Sequence, residues 1–287
     1  MTPVALLGQW LATRLPAEAT AWLAGGIDRM RASGADRDLY LLFSLASRKV
    51  GTKALALTAA ELAAASSCRP GWDPCEWTLD QATRVYLLLA STTDGAETSR
   101  RLDRLCSAAD IWELVALYRG LPLYPGAPLH VLRAAEGVRS NMRVVFEAVA
   151  QRNPYPAEQF GEPAWNQMVL KALFVGSRLH PIVGLDARRN ALLARMLCDY
   201  AHERWAASRP VSPELWRCVG PFASGALLDD FRRLLERGSA VEQQAAALAL
   251  LDASDPAATR LLESRPALAL DARSGNLDWE KLAAAAA

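Results

Sequence analysis

The chain has 287 residues, of which 52% are hydrophobic and 22% charged, a balance that excludes a disordered or collagen-like protein. Its 32 Lys and Arg against 31 Asp and Glu leave a formal charge of +1. With no like-charged tail or basic stripe, nothing gives it the electrostatic footprint of a nucleic-acid binder. The length accommodates one large domain or two smaller ones.

From the N-terminus, Met1–Leu15 is apolar but lacks a basic leader and is interrupted by Gln9 and Arg14. It is expected to form an amphipathic helix and not a signal peptide. No stretch approaches the roughly 18 uncharged apolar residues of a membrane span, so no membrane insertion is expected. The five cysteines are Cys68, Cys75, Cys106, Cys198 and Cys218. Their odd number, without a C-x-x-C pair or an export signal, points to reduced thiols and a cytoplasmic location. Cys68 and Cys75 flank the turn Arg69–Pro74, where a bridge is conceivable but two free thiols are expected.

Helix signals then recur along the chain. Thr58-x-x-Glu61 and Thr78-x-x-Gln81 have capping-box spacing, in which the hydroxyl and the acid or amide satisfy each other's backbone donors. Ser212-Pro213 and Asp255-Pro256 place a cap before a proline at the first helical position. Apolar stripes at spacings of three and four run through Leu39, Leu42, Phe43, Ala46 and Val50, through Val85, Leu88 and Leu89, and through Leu227, Leu228, Phe231, Leu234 and Leu235. Gly25-Gly26 is expected to end a helix. Six tryptophans (Trp10, Trp22, Trp112, Trp165, Trp205 and Trp216) stand at core spacing and are expected to pack between helices. Period-two alternation is missing, and Ala and Leu dominate. The fold class is therefore all-α, either a helical-repeat (HEAT-like) α-solenoid or a multi-helix bundle, although no strict repeat period is present.

Prolines and glycine cluster between Gln151 and Pro163. The expected organisation is an N-terminal helical region over 1–150, a second helical region over 151–270 and a tail over 271–287. The tail has few core residues beyond Leu277, Trp279 and Leu282, and Ala283–Ala287 is expected to fray.

Two helices carry the polar residues of interest. Ala164–Ser177 is apolar nearly all round, as a buried central helix would be, and its polar side chains Asn166, Gln167 and Lys171 share one arc. They would form either the wall of a polar pocket or a satisfied buried network, and the network is the more common outcome. Asn190–Ser208 groups Arg195, Asp199, His202 and Glu203 on one face. A solvated charged face is the ordinary reading, and Asp199, His202 and Glu203 would be the ligands if a metal were bound there. Of the three histidines, His180 precedes Pro181 in a loop near Asp186. It suits a loop-stabilising hydrogen bond better than a general base. No P-loop, dinucleotide fingerprint or nucleophile elbow occurs. No cofactor and no metal are expected.

The blocks Arg152-Asn153-Pro154-Tyr155-Pro156, Ala164 to Phe174, Ile182-Val183-Gly184-Leu185-Asp186, Asp199-Tyr200-Ala201-His202-Glu203-Arg204-Trp205 and Val211 to Arg217 together resemble the EboA family of bacterial proteins. Arg178 stands where the family pattern has proline. The resemblance implies a place in the Ebo gene cluster of cyanobacteria and other bacteria. Its companions there are a UbiA-like prenyltransferase, a dehydroquinate-synthase-like cyclase, TIM-barrel hydrolase- and isomerase-like proteins and a phosphodiesterase-like protein. Such companions imply a prenylated, sugar- or cyclitol-derived metabolite and, in cyanobacteria, export of a pigment precursor. The family supplies no reaction to carry over. Asn166, Gln167, Lys171, Asp199, His202 and Glu203 fall within its blocks.

The expected function is that of a non-enzymatic helical accessory or carrier protein, whose partners are other Ebo-cluster proteins or a pathway small molecule. The alternative is an enzyme of an unrecognised helical type, with a pocket lined by Lys171, Asp199, His202 and Glu203.

Overall fold

The computed structural model describes residues 1–285. Among them it contains helices, turns and a single isolated antiparallel bridge between Ala54 and Thr78, and no strand. The chain divides into two compact units, Met1–Gly161 and one from Glu162 onward.

The first unit holds α1 (Pro3–Arg14), α2 (Ala17–Ser33), α3 (Asp36–Val50), α4 (Ala59–Cys68), α5 (Leu79–Ser91), α6 (Gly95–Ala108), α7 (Ile111–Arg119), α8 (Val131–Arg139), α9 (Arg143–Ala150) and α10 (Tyr155–Gln159). Helix α5 is its axis and packs against α1, α2, α3, α6 and α7. The apolar stripe expected on α3 is the buried face of that helix, residue for residue. At Thr58 the capping box closes as its spacing predicts. At Thr78 the Gln81 side chain accepts the Thr78 N–H at 3.3 Å, while the Thr78 hydroxyl donates to Asp80. Gly25 and Gly26 do not end a helix. They lie inside α2, which runs on to a left-handed Gly34. A Cβ at Gly26 would sit 2.4 Å from Leu42 Cδ2, so the glycine is there to let α2 and α3 approach.

The second unit holds α11 (Glu162–Phe174), α12 (Ala191–Ala206), α13 (Trp216–Val219), α14 (Leu227–Arg237), α15 (Ala240–Leu251), α16 (Pro256–Glu263), α17 (Pro266–Ser274) and α18 (Trp279–Ala285). Ser212-Pro213 opens a short 3-10 turn and not a full helix, whereas Asp255 caps α16 by accepting the Ala257 N–H. Helix α15 is the hub, packed on α13, α14, α16, α17 and α18. Its run Ala245–Ala249 is buried, and such small side chains let neighbours come close. Beside it, a Cβ on Gly220 would lie 2.4 Å from the Ala249 carbonyl oxygen. Trp205 stacks on Trp216, which meets Phe231 edge-on, so the strongly amphipathic α14 anchors through Phe231. The segment after Asp271 folds as the end of α17 and as α18, with Leu277 and Leu282 buried. Ala285 closes α18, and the fraying expected of Ala286 and Ala287 lies outside the described residues.

All five cysteines are free, Cys68 and Cys75 included. Among the described residues no helix is long and apolar enough to cross a membrane.

His130 sits in the first unit's core at 1% exposure. Its Nε2–H donates to the Pro125 carbonyl at 2.8 Å, and its Nδ1 has no partner. Burial lowers its pKa below the ordinary 6.5, and the Pro125 bond offsets this only in part. A group with a depressed folded-state pKa that is charged when protonated favours the unfolded state in acid. Stability should therefore fall as pH drops below about 6.5, by at most about 1.4 kcal/mol per pH unit for this one group. The urea midpoint of His130→Gln should change less between neutral and mildly acidic pH than that of the wild type.

Candidate functional site

The polar residues singled out in the second unit do not share one face. On α11, Asn166 is buried, Lys171 half-buried, and Gln167 and Phe174 exposed, so this helix is not enclosed all round as its composition predicts. Asn166 forms a reciprocal amide pair with Asn190, at 2.8 and 3.1 Å. Asn190 Oδ1 also accepts the Leu193 N–H and caps α12. The pair thus fixes the start of α12 against α11. Desolvation lowers the Lys171 pKa below its ordinary value.

On α12, Asp199, His202 and Glu203 are all exposed. His202 turns to α14, where its Nε2 lies 2.8 Å from Asp230. Among the described residues no group of three His, Cys, Asp or Glu side chains is placed to hold a metal ion.

His180 and Asp186 meet through Arg217. The guanidinium holds both Asp186 oxygens, at 2.7 and 2.5 Å, and lies 3.3 Å from His180 Nδ1. Buried Glu214 accepts the His180 backbone N–H and lies 3.9 Å from Arg178. Burial raises the Asp186 pKa, and the hydrogen bond and charge of Arg217, with Arg189 and His180, outweigh that and leave it below normal. Arg189 continues the network to Asp252 and to the Arg217 carbonyl. These bonds tie the loop between α11 and α12 to α13 and to the end of α15. A groove in this unit is lined by Ala194, Arg195, Phe222, Leu227 and Asp255, among others. None of Lys171, Asp199, His202 and Glu203 lines it.

The best-formed concave site lies in the first unit. Two cavities, of about 230 and 430 Å³, share Thr78, Gln81 and Trp112 as common wall and are two lobes of one cleft. The first turn of α5 supplies the floor. Thr78 is held by the backbone bonds flanking the Ala54–Thr78 bridge, Leu55 N–H to Trp77 O and Leu79 N–H to Lys53 O, at 2.8 and 2.9 Å. Helix α7 starts at Asp110, whose side chain accepts the Glu113 N–H at 2.8 Å while Glu113 reaches back to the Asp110 N–H. That capping box sets Trp112 on the rim. Trp112 is 59% exposed, against the expectation that it packs between helices, because it lies on the outward side of the first turn of α7.

The first lobe is walled by the ends of α7 and α9. Arg119 donates to the Glu76 carbonyl at 2.9 Å and to Gln81 Oε1 at 2.8 Å. Its burial lowers its pKa, and the nearby Glu76 charge opposes that; the guanidinium stays charged at any ordinary pH. Arg152 bonds Asp73 at 2.6 Å and approaches Glu76 at 3.2 Å. Its backbone is left-handed, with φ +52°, a strained conformation for a side chain of this size and one that recurs at functional sites. Burial raises the Asp73 pKa, but Arg152 and the Cys75 thiol and N–H more than compensate, and the group ends below its usual value. Burial and the adjoining Asp73 push the Cys75 thiol up to about 11, so it stands as an unreactive thiol beside the lobe.

Asn153 locks this arrangement. Its amide donates to the Tyr118 and Ala148 carbonyls, both at 3.0 Å, and its oxygen accepts the Tyr155 N–H at 3.0 Å. One buried side chain thereby joins the ends of α7 and α9 to the start of α10. In the second lobe, Arg84 is 2% exposed, ion-paired to Asp80 within α5 and 3.5 Å from Glu113 on α7, and its Nε has no partner.

Of the cleft residues, the sequence marks Thr78 and Gln81 as a helix cap and Trp112 as a packing aromatic, and none of them as a binding residue. Arg152 and Asn153 stand in the first block of the family resemblance, which was the available signal. Asn153→Ala should destabilise the first unit by about 2–3 kcal/mol, because three buried backbone groups lose their partner. Trp112→Ala should change stability by no more than about 0.5 kcal/mol. Urea unfolding of the two variants checks both values.

The family model described as metabolite traffic protein EboA matches residues 4–220. No curated protein and no solved structure matches the chain.

Proposed function

The chain belongs to the EboA family, and from that premise we propose that it is a non-enzymatic accessory protein that carries a small metabolite in the cleft of its first unit. The observation that carries this reading is the cleft itself. It lies wholly within the matched residues, has two lobes with a combined wall of guanidinium, carboxylate and amide groups, and presents the indole of Trp112 at its rim. Concave sites with a few convergent polar groups around an aromatic are the usual seats of small ligands. Arg119, Arg152 and Arg84 are all held by neighbouring groups, so bonds within the protein position the wall before a ligand arrives. A preorganised wall lowers the ordering cost of binding. The one thiol beside the cleft is hydrogen-bonded to Asp73 and held protonated, and the cleft carboxylates are ion-paired or cap a helix.

On this reading the protein acts in the cytoplasm, within the secondary-metabolite pathway of its gene cluster. The short helices of the second unit then serve as a HEAT-like docking scaffold for another protein of that cluster, which takes up the cargo for export.

The test is to purify the full-length chain from a host carrying the cluster, denature it and identify what is released. A small molecule should be recovered in near-equal amount from the wild type and lost from Trp112→Ala, with the fold intact by circular dichroism. The released compound should persist unchanged on incubation with fresh protein. Recovery of a product that the protein makes from it, or retention undiminished in Trp112→Ala, would overturn the carrier reading at this cleft.

A further inference from the structure

The second unit holds a notch with two guanidiniums that lack a counter-charge. The end of α12, the last turns of α14 and the start of α15 enclose about 150 Å³, lined by Trp205, Arg233, Leu234, Arg237, Gly238 and Glu242. Arg217, Arg189 and Arg232 of this unit each hold a carboxylate. Among the described residues Arg233 and Arg237 hold none. They stand one turn apart on α14, where like charges repel. The one acid in the notch, Glu242, is turned to its own helix, where it accepts the Ser239 N–H at 2.8 Å in a capping box. Glu236, between the two arginines in sequence, does not line the notch.

The ordinary uses of a cation at this place are already met by other groups. Arg237 lies in the last turn of α14, where a basic side chain commonly bonds the free carbonyls. Here the Leu234 carbonyl accepts the Gly238 N–H and the Gly238 carbonyl accepts the Gln243 amide, both at 2.9 Å. The guanidinium carbon of Arg233 lies 4.1 Å from the ring centre of Trp205, which is itself stacked on Trp216. An indole fixes the plane of a guanidinium through its face and leaves the N–H edge unused. Arg233 is therefore a positioned fork of donors with no acceptor inside the protein, and Arg237 lines the same small recess.

We propose that this notch is a subsite for the phosphoryl end of a phosphate monoester, held bidentately by Arg233 with Arg237 as the second cation. A phosphate dianion balances two guanidiniums, and its oxygens match the fork. The recess is too small for a whole metabolite of ordinary ligand size, so it takes the phosphoryl group and leaves the rest of the molecule outside. The proposal concerns the second unit alone and stands or falls apart from the carrier reading of the first.

Phenyl phosphate, inorganic phosphate and benzoate are titrated calorimetrically into the full-length protein at about pH 8, where the monoester is a dianion. Phenyl phosphate should bind with a Kd of about 1 mM or tighter at low salt, at least about fivefold tighter than benzoate, and more weakly as salt is added. Arg233→Gln and Arg237→Gln, both at exposed positions, should each weaken it at least about fivefold with the fold intact by circular dichroism. Arg232→Gln, on the same helix but outside the notch, should leave it unchanged. Glu242→Gln keeps a residue able to close the capping box and should tighten binding by removing the one negative charge of the notch. The absence of saturable binding, phenyl phosphate bound no tighter than benzoate or more weakly than inorganic phosphate, or an Arg232→Gln loss equal to that of the notch variants would overturn the proposal.

Discussion

The first unit depends on the burial of a charged helix turn. Helix α5 lies between α1, α3 and α7, so the residues of its first two turns are enclosed whether they are apolar or not. Asp80, Gln81, Thr83 and Arg84 are buried beside Leu79, Val85, Leu87 and Leu88. Removing a guanidinium from water costs several kcal/mol unless partners replace the solvent. Arg84 finds Asp80 one turn back on its own helix and Glu113 on α7, and its plane lies over the Phe43 ring of α3. The three helices are thereby joined through one cation. Apolar contacts hold α5 in place without choosing a rotation for it; the ion pairs choose one. That rotation puts Gln81 where it accepts from Arg119 and where the cleft has its floor.

The same logic extends outward from α5. Gln81 accepts from the Thr78 N–H and from Arg119, so one amide both caps α5 and fixes a guanidinium of the cleft. Arg119 holds the Glu76 carbonyl, Glu76 meets Arg152, and Arg152 holds Asp73. The loop between Arg69 and Thr78 is irregular, yet it is pinned by these bonds on one side and by the Trp10–Trp72–Trp77 ring contacts on the other. A loop fixed on both sides presents its carboxylates in a set geometry. This is how a chain of short helices makes a defined recess without a sheet.

The helical character of the chain was legible because it is written locally. Capping at Thr58 and Asp255 and the stripes on α3 and α14 depend only on neighbours three or four residues away. The cleft was not legible because its residues draw their meaning from distant partners. Asp80-Gln81-x-x-Arg84 has the pattern of a solvated polar face, and nothing in its spacing says that a third helix covers it. Trp112 misled in the opposite direction: its spacing suggests packing between helices, but the capping box at Asp110 sets the helix phase and leaves the indole outside. Glycine misled likewise, since Gly26 serves the contact with Leu42 and not a helix end. In the second unit, Asn166 was legible as a buried amide needing a partner. That the partner is Asn190, the cap of the next helix, required the fold.

Both units use their charges to bridge their own elements. In the second, Arg217 gathers Asp186 and His180, Arg189 reaches Asp252, and His202 meets Asp230. Each of these bonds joins two elements of that unit, as an interhelical strap does. In the first, Arg119 and Arg152 gather Glu76 and Asp73, Arg84 holds Asp80, Glu147 meets Arg143, and Asp110 caps α7. What distinguishes the first unit is that its bridged charges and the exposed indole of Trp112 line one recess.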